Sequence, residues 1–139
     1  MSNNIFEYVK VINQKSKKAF DNISRSSSKD RNLAILNTSL IIKQKQEEIL
    51  QANKIDIGNA KKKNLTDAFV DRLFLNDSRI KDIINGLKKI AEMDDPIGIE
   101  LSRWKQPNGL DISRISVPLG IIGIIYESRP NVTLSLIHI

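Results

Sequence analysis

Leu119-Gly120-Ile121-Ile122-Gly123-Ile124-Ile125-Tyr126 is the stretch of sequence that decides the fold class. It is continuously apolar and rich in β-branched isoleucine, and the polar residues 127–131 follow it directly. A half-buried strand would alternate apolar and polar side chains, whereas a continuous run is typical of a strand buried on both faces. The stretch therefore predicts a central strand of an α/β sheet.

Amphipathic helices are predicted upstream of this strand, because apolar residues recur there at intervals of three and four. The predicted helices cover about residues 4–23, 29–53 and 77–93, with a short turn of helix that ends near Leu73. The Asp-Asp-Pro-Ile-Gly sequence at 94–98 ends the helical part. Residues 99–117 then alternate on either side of Pro107-Asn108-Gly109, which predicts a β-hairpin.

Composition excludes several kinds of functional site. The 139 residues contain no cysteine and a single histidine, His138, so the chain itself supplies no disulfide, no thiolate or histidine metal site and no Ser-His triad. The longest apolar run, 117–126, is far shorter than the roughly 20 residues of a membrane-spanning helix. The first residues lack the basic and apolar pattern of an export signal, so we expect a cytoplasmic protein.

The net charge of +6 raises the question of a nucleic-acid partner. Residues 1–63 hold 13 basic and 6 acidic side chains, so the excess lies in the amino-terminal half as scattered lysines. Aromatic content is only 5%, whereas nucleic-acid surfaces interleave aromatics or cluster arginines. Solvated helix faces are the favoured interpretation, with no nucleic-acid and no membrane partner. A basic helical module that binds RNA or anionic surfaces is the alternative.

The polar loop at 127–131 is where a site is expected, because ligands of open α/β sheets bind outside the carboxyl ends of the strands. The side-chain amide of Asn131 is a suitable donor to a developing oxyanion, although an Asn before a helix is more often a cap. Gly120 and Gly123 do not follow the dinucleotide-binding fingerprint and indicate close backbone packing. A strand buried on both faces also needs neighbouring strands and covering helices, so we expect the chain to be the beginning of a larger fold.

Residues 117–133, Val-Pro-Leu-Gly-Ile-Ile-Gly-Ile-Ile-Tyr-Glu-Ser-Arg-Pro-Asn-Val-Thr, closely resemble the gamma-glutamyl phosphate reductase family of the aldehyde dehydrogenase superfamily. Four further segments fit the same family in the same order: 52–56, Asp71-Arg72-Leu73, 95–98 and the Trp104-x-x-Pro-Asn-Gly-Leu110 pattern. The strong part of the resemblance covers about residues 32–133.

The resemblance implies the amino-terminal part of an aldehyde-dehydrogenase-like α/β fold, incomplete in this chain. Residues 1–98 would be the helical part of the cofactor-binding domain, and 99–117 a β-hairpin arm used in oligomerisation. Residues 118–133 would be the first strand of a Rossmann-like sheet and the active-site loop. Residues 134–139 match nothing in the family.

The resemblance also implies a reaction: reduction of L-glutamyl 5-phosphate to L-glutamate 5-semialdehyde with NADPH and release of phosphate, the second step of proline biosynthesis. Asn131 matches the oxyanion donor, and Ile125, Tyr126 and Glu127 match the strand end that runs along the cofactor. Arg129 would contact the substrate phosphate or carboxylate, with a structural ion pair equally expected. No metal is implied. The implied partners are a second copy through the hairpin and the upstream glutamate kinase.

The family uses a cysteine nucleophile, which this chain lacks. We therefore expect the polypeptide alone to be inactive, and we expect the apolar tail 134–139 to be foreign to the family. A truncated, non-catalytic paralogue that assembles with full-length subunits is a further alternative.

Overall fold

The structure, a computed structural model, describes residues 2–126 and Val132. Two compact units divide the chain, one from Met1–Ser28 with Asp94–Gly123 and the other from Lys29–Met93 with Ile124–Ile139. The elements in chain order are α1 (Ser2–Ile23), α2 (Ser28–Gln44), α3 (Gln46–Lys62), α4 (Asp67–Leu73), α5 (Asp77–Ala91), β1 (Glu100–Lys105) and β2 (Asp111–Ile115). The predicted combination of helices and a small sheet is confirmed.

The helical unit, α2 to α5, has its core along one stripe of α5. Ile80, Ile84 and Leu87 are only 1%, 8% and 1% exposed, and Ala60 of α3 is 4% exposed. The spacing of these α5 residues places them on one helix face, as the sequence pattern predicts. The remaining face of α5 is charged and solvated. Three of the four buried apolar residues therefore lie on α5.

The predicted long helix over 29–53 is wrong in one respect, because two helices occupy this part of the chain. They meet at Lys45, whose backbone lies outside the helical region at φ −99° and ψ 17°. No apolar residue occurs between Ile42 and Ile49, so no common buried face holds the two segments in line. The helix after the break runs on to Lys62, and Gly58 does not interrupt it.

Asn53 joins α3 to the connection between α4 and α5. Its side chain is 6% exposed. The amide nitrogen Nδ2 donates to the carbonyl oxygen of Leu73 at 2.9 Å, and Oδ1 accepts from the backbone N–H of Leu75 at 2.8 Å. One buried amide thus satisfies two backbone groups that no helix could pair.

Arg79 also holds the connection between α4 and α5. Its Nη1 donates to the carbonyl oxygen of Phe74 at 2.7 Å, and Nη2 contacts Oδ1 of Asp71 at 2.8 Å. The guanidinium also lies 5.6 Å from the centre of the Phe74 ring. Asn76 caps α5 by accepting from the Arg79 N–H at 2.8 Å. Side chains therefore hold three backbone groups of the short connection, the carbonyl oxygens of Leu73 and Phe74 and the N–H of Leu75.

We expect Asn53→Ala to lower the free energy of unfolding by about 1–3 kcal/mol, since it leaves two part-buried backbone groups without their partner. Asn59→Ala removes an exposed amide from the same helix and serves as the matched control. Urea denaturation followed by circular dichroism measures both. Equal stability of the two variants would contradict the assigned role of Asn53.

The second unit contains α1 and the hairpin. The apolar face of α1 is exposed, with Ile5, Tyr8, Val9 and Ile12 at 67%, 67%, 48% and 43%. The predicted helix over 4–23 is confirmed, and it begins two residues earlier. No helix among the described residues is long and apolar enough to cross a membrane.

The hairpin confirms the predicted strand pair around the Pro107-Asn108-Gly109 turn. β1 and β2 are antiparallel, with Trp104 opposite Ile112 and a bulge between Glu100 and Ser102. The positive φ of 89° at Gly109 allows the chain to reverse there. Every residue of β1 is exposed, so the pair has no covering layer within the described residues. A two-stranded hairpin of this kind is marginally stable by itself.

The predicted buried strand at 119–126 is not formed in this structure, since residues 116–126 have no regular secondary structure. Ile121 and Ile122 are 51% and 46% exposed, and Ile125 is 103% exposed. The physical reason is the lack of a neighbour, because the strands among the described residues pair only with each other. An isolated strand leaves its backbone groups unpaired and has no sheet to bury it.

Candidate functional site

Ser116 closes the base of the hairpin, at the point where the chain leaves toward the predicted site. Its backbone N–H donates to the carbonyl oxygen of Ile99 at 3.0 Å, and its carbonyl oxygen accepts from the Gly98 N–H at 2.9 Å. Its Oγ accepts from the Ile99 N–H at 3.0 Å and donates to the carbonyl oxygen of Pro96. The two ends of the hairpin are therefore fixed to each other through one residue.

The turn that leads into the hairpin has its own local supports. Oδ1 of Asp95 accepts from the Ile97 N–H at 3.0 Å, an Asx-turn that Pro96 stiffens. Gly98 has a φ of 80°, in the left-handed region that favours glycine. Backbone geometry thus accounts for the Asp-Pro-Ile-Gly sequence.

Arg103 and Asp111 form the best-defined charged pair of the hairpin. Nε and Nη2 of Arg103 lie 2.9 and 2.6 Å from the two carboxylate oxygens of Asp111, so the pair is bidentate. The Arg103 guanidinium lowers the pKa of the Asp111 carboxyl below its ordinary value, and the same bond raises the pKa of Arg103. Both groups are exposed, so the pair contributes little to stability.

We expect Asp111 to titrate below the ordinary aspartate pKa, and Arg103→Gln to move it back toward that value. Because the folded-state pKa is the lower one, the contribution of the pair is complete above the unfolded pKa. It is lost as the pH falls through the folded pKa. Carboxyl chemical shifts in an NMR pH titration measure this, with Arg114→Gln on the same hairpin as control. A titration unchanged by Arg103→Gln would contradict the pair.

The residues predicted for catalysis and binding are only partly placed by the structure. Glu127, Arg129 and Asn131 lie outside the described residues. Ile125 is 103% exposed and Tyr126 is 47% exposed. A cofactor pocket buries most of its ligand between walls of protein, and an isoleucine at full exposure has no such wall facing it. The described residues therefore do not by themselves fit a nicotinamide cofactor.

No cluster of metal-ligating side chains occurs among residues 2–126 and Val132. A shallow depression follows the solvent face of α5, and its lining carries both signs of charge. Asp82 and Glu92 lie there beside Lys88 and Lys89. Such a mixed surface does not favour a polyanion on this face of α5.

Sequence reasoning missed several residues that hold the described part of the fold together. Arg103 lies opposite Ser113 and Asp111 opposite Lys105, so the Arg103–Asp111 pair is diagonal across the hairpin. It could have been found, because the turn fixes the register and diagonal neighbours are within reach of a long side chain. Ser116 and Asn53 gave no such signal, since their partners are backbone groups from distant parts of the chain. Their roles depend on tertiary contacts that no local pattern encodes.

No family model matches this chain. Its curated relatives include the gamma-glutamyl phosphate reductase of Syntrophomonas wolfei, which is 44% identical over 133 residues. That match covers 96% of this chain and 32% of the relative. The enzyme of the same name from Bartonella henselae is 44% identical over 126 residues, 91% of this chain and 31% of the relative. The chain therefore spans about a third of the length of the curated relatives it matches.

Solved structures support the same similarity. The gamma-glutamyl phosphate reductase of Thermotoga maritima superposes with a TM-score of 0.84 at 38% identity, over 89% of this chain and 30% of that chain. The enzyme of the same name from Saccharomyces cerevisiae gives a TM-score of 0.82 at 28% identity, over 90% of this chain and 32% of that chain. The resemblance recognised from residues 32–133 is thereby confirmed, as is the amino-terminal part of that fold.

Proposed function

We propose that this chain, which is similar to gamma-glutamyl phosphate reductases in sequence and in fold, supplies the amino-terminal third of such an enzyme. The enzyme would reduce L-glutamyl 5-phosphate to L-glutamate 5-semialdehyde with NADPH and release phosphate, the second step of proline biosynthesis. The observation that carries the proposal is identity of 44% across 96% of the chain. The helices and the hairpin are part of this match, so it does not depend on one short motif.

Asn131 is the residue to which we assign a catalytic role. Its side-chain amide would donate a hydrogen bond to the acyl oxygen of the substrate as negative charge develops on that oxygen. Such a donor accelerates the reaction only where it is held in place before the charge appears. The preceding Pro130 fixes its own φ and favours the first turn of a helix, which would hold the loop in place.

Four neighbouring positions complete the proposed site. Ile125, Tyr126 and Glu127 would lie along the nicotinamide cofactor, for which we propose NADPH. Arg129 would bind the phosphate or a carboxylate of the substrate through its two-pronged guanidinium. The attacking thiolate has to come from sequence beyond these 139 residues, which contain no cysteine.

The exposed hairpin supports a role in assembly. All six residues of β1 are exposed, including Trp104 at 43% and Leu101 at 54%. Apolar side chains on an arm without a covering layer are typical of an interface. We therefore propose that the hairpin joins copies of the enzyme, and that glutamate kinase is a further partner. We further propose that the enzyme acts in the cytoplasm.

A hybrid enzyme tests the proposed function. Residues 1–133 of this chain replace the matching third of the Syntrophomonas wolfei relative, and phosphate-dependent reduction of NADP by the semialdehyde measures the reverse reaction. We expect the hybrid to be active, because the third that it receives would have the same fold and the same loop. A soluble, folded hybrid without activity would count against the proposal.

Within that hybrid, we expect Asn131→Ala to lower kcat by about 10²–10³-fold, the usual cost of one oxyanion donor. KM should change less than kcat, because the bond strengthens in the transition state. Asn22→Ala, at the end of α1, is the matched control and should leave kcat unchanged. An Asn131→Ala hybrid as active as the control would exclude this role.

The chain by itself should show no reductase activity, because it contains no cysteine to form a thioester with the substrate. The same assay on the purified 139-residue polypeptide measures this, with the hybrid as positive control. Turnover above the rate without protein would overturn both the assigned chemistry and the need for a cysteine.

A further inference from the structure

The dipeptide Asn-Gly occurs twice in this chain, at 85–86 and at 108–109. An asparagine loses its side-chain amide most readily before glycine, because glycine has no Cβ to hinder the approach of its backbone nitrogen. Asn85 and Asn108 are both exposed, so water reaches both side chains. Any difference in reactivity between the two sites therefore comes from the backbone around them.

The reaction needs a glycine nitrogen that is free to move. This nitrogen gives its proton to hydroxide and attacks Cγ of the asparagine, so that an N–Cγ bond forms. The Cγ–Nδ2 bond breaks, and Nδ2 takes a proton from water and leaves as ammonia. Water then opens the resulting succinimide ring at either carbonyl, which gives aspartate or isoaspartate. Nothing is oxidised or reduced, and the site gains one negative charge.

The site at Asn85 lies in the interior of α5, where the backbone is fixed. The N–H of Gly86 is committed to the helical bond with the carbonyl four residues earlier. Freeing this nitrogen means opening α5 beside Ile84 and Leu87, which are only 8% and 1% exposed. Local opening that exposes buried apolar side chains is rare, so α5 protects this site.

The site at Asn108 lies in the turn of the hairpin, which residues 106–110 form among themselves. The Gly109 N–H donates to the carbonyl oxygen of Gln106 at 2.9 Å, as in a β-turn. Freeing the Gly109 nitrogen breaks this exposed turn bond, which contributes little to stability. No buried side chain is uncovered, since residues 106–110 are all exposed. Local opening of the turn is therefore frequent.

Two further features of the turn favour the reaction at Asn108. Its Oδ1 accepts a hydrogen bond from the Leu110 N–H at 3.2 Å. A donor at this oxygen polarises Cγ and stabilises the negative charge that develops on Oδ1 during the attack. Gly109 has a φ of 89°, in the left-handed region that favours glycine. The turn itself therefore requires the unhindered residue that follows Asn108.

We propose that Asn108 is a site of spontaneous deamidation, and that α5 protects Asn85 from the same reaction. The proposal does not depend on the proposed function, because α5 and the turn are formed by the described residues of this chain. Both products place a negative charge at the tip of the hairpin. The isoaspartyl product also lengthens the backbone of the turn by one carbon atom, so it alters the arm that we propose for assembly.

Incubation of the full 139-residue chain at mildly alkaline pH, in water enriched in the heavy oxygen isotope, tests the proposal. Digestion in ordinary water and mass spectrometry then measure the labelled acid at each site, so deamidation during digestion is not counted. We expect the Asn108 peptide to convert about tenfold or more faster than the Asn85 peptide, which corresponds to a difference of only about 1.4 kcal/mol in local opening. The rate at Asn108 should rise with pH, because the attacking nitrogen has to lose its proton.

Incubation in concentrated urea is the matched control, since it removes both α5 and the turn. There the two sites should react at similar rates, with Asn85 accelerated relative to the folded chain. Asn108→Gln should abolish labelling of the hairpin peptide, because the longer side chain would have to close a larger ring. The proposal is overturned if the two sites react equally in the folded chain, or if Asn108 reacts only in urea. An Asn85 that stays slow in urea would show that its neighbouring sequence protects it and would overturn the role of α5.

Discussion

A strand can be buried only where its backbone groups are paired, and this constraint governs the carboxyl-terminal part of the described chain. Strand pairing among the described residues joins β1 to β2, and Ser116 adds backbone bonds to Gly98 and Ile99. Beyond Ser116 the side chains favour burial more strongly than any others in the sequence, yet they are exposed. The described residues offer this segment no neighbouring strand, and residues 117–126 have no regular secondary structure.

The helical unit is free of this constraint, because a helix pairs its own backbone groups. Each of α3 and α5 needs to bury only one apolar face. Ala60 on α3 and Ile80 and Leu87 on α5 are the buried residues that form this small core. The polar groups that helices cannot satisfy lie at their ends and in the short connections. Asn53 and Arg79 pair several of these groups, so the unit is held by specific hydrogen bonds as well as by packing.

This difference explains how much of the fold could be predicted from the sequence. The helices and the hairpin depend on local periodicity and turn residues, so α1, α5 and the turn at Gly109 were predicted close to their observed bounds. The break at Lys45 was missed because a run of polar residues is compatible with a continuous helix. Such a run does not show where one helix ends and the next begins. Residues 119–126 have the local pattern of a buried strand. A strand also needs a neighbouring strand, and the periodicity of one segment does not show whether such a neighbour is present.

The candidate site also depends on both a local sequence pattern and the polypeptide around it. A sequence motif that matches a family predicts a role for a position such as Asn131. The motif is recognised from the residue and its sequence neighbours alone. The role itself is a property of an enclosed site, where a donor is held rigidly and water is excluded. Ile125, at 103% exposure, lies in open water in the described structure. Residue identity therefore indicates which reaction a site belongs to, whereas the surrounding polypeptide determines whether that reaction occurs.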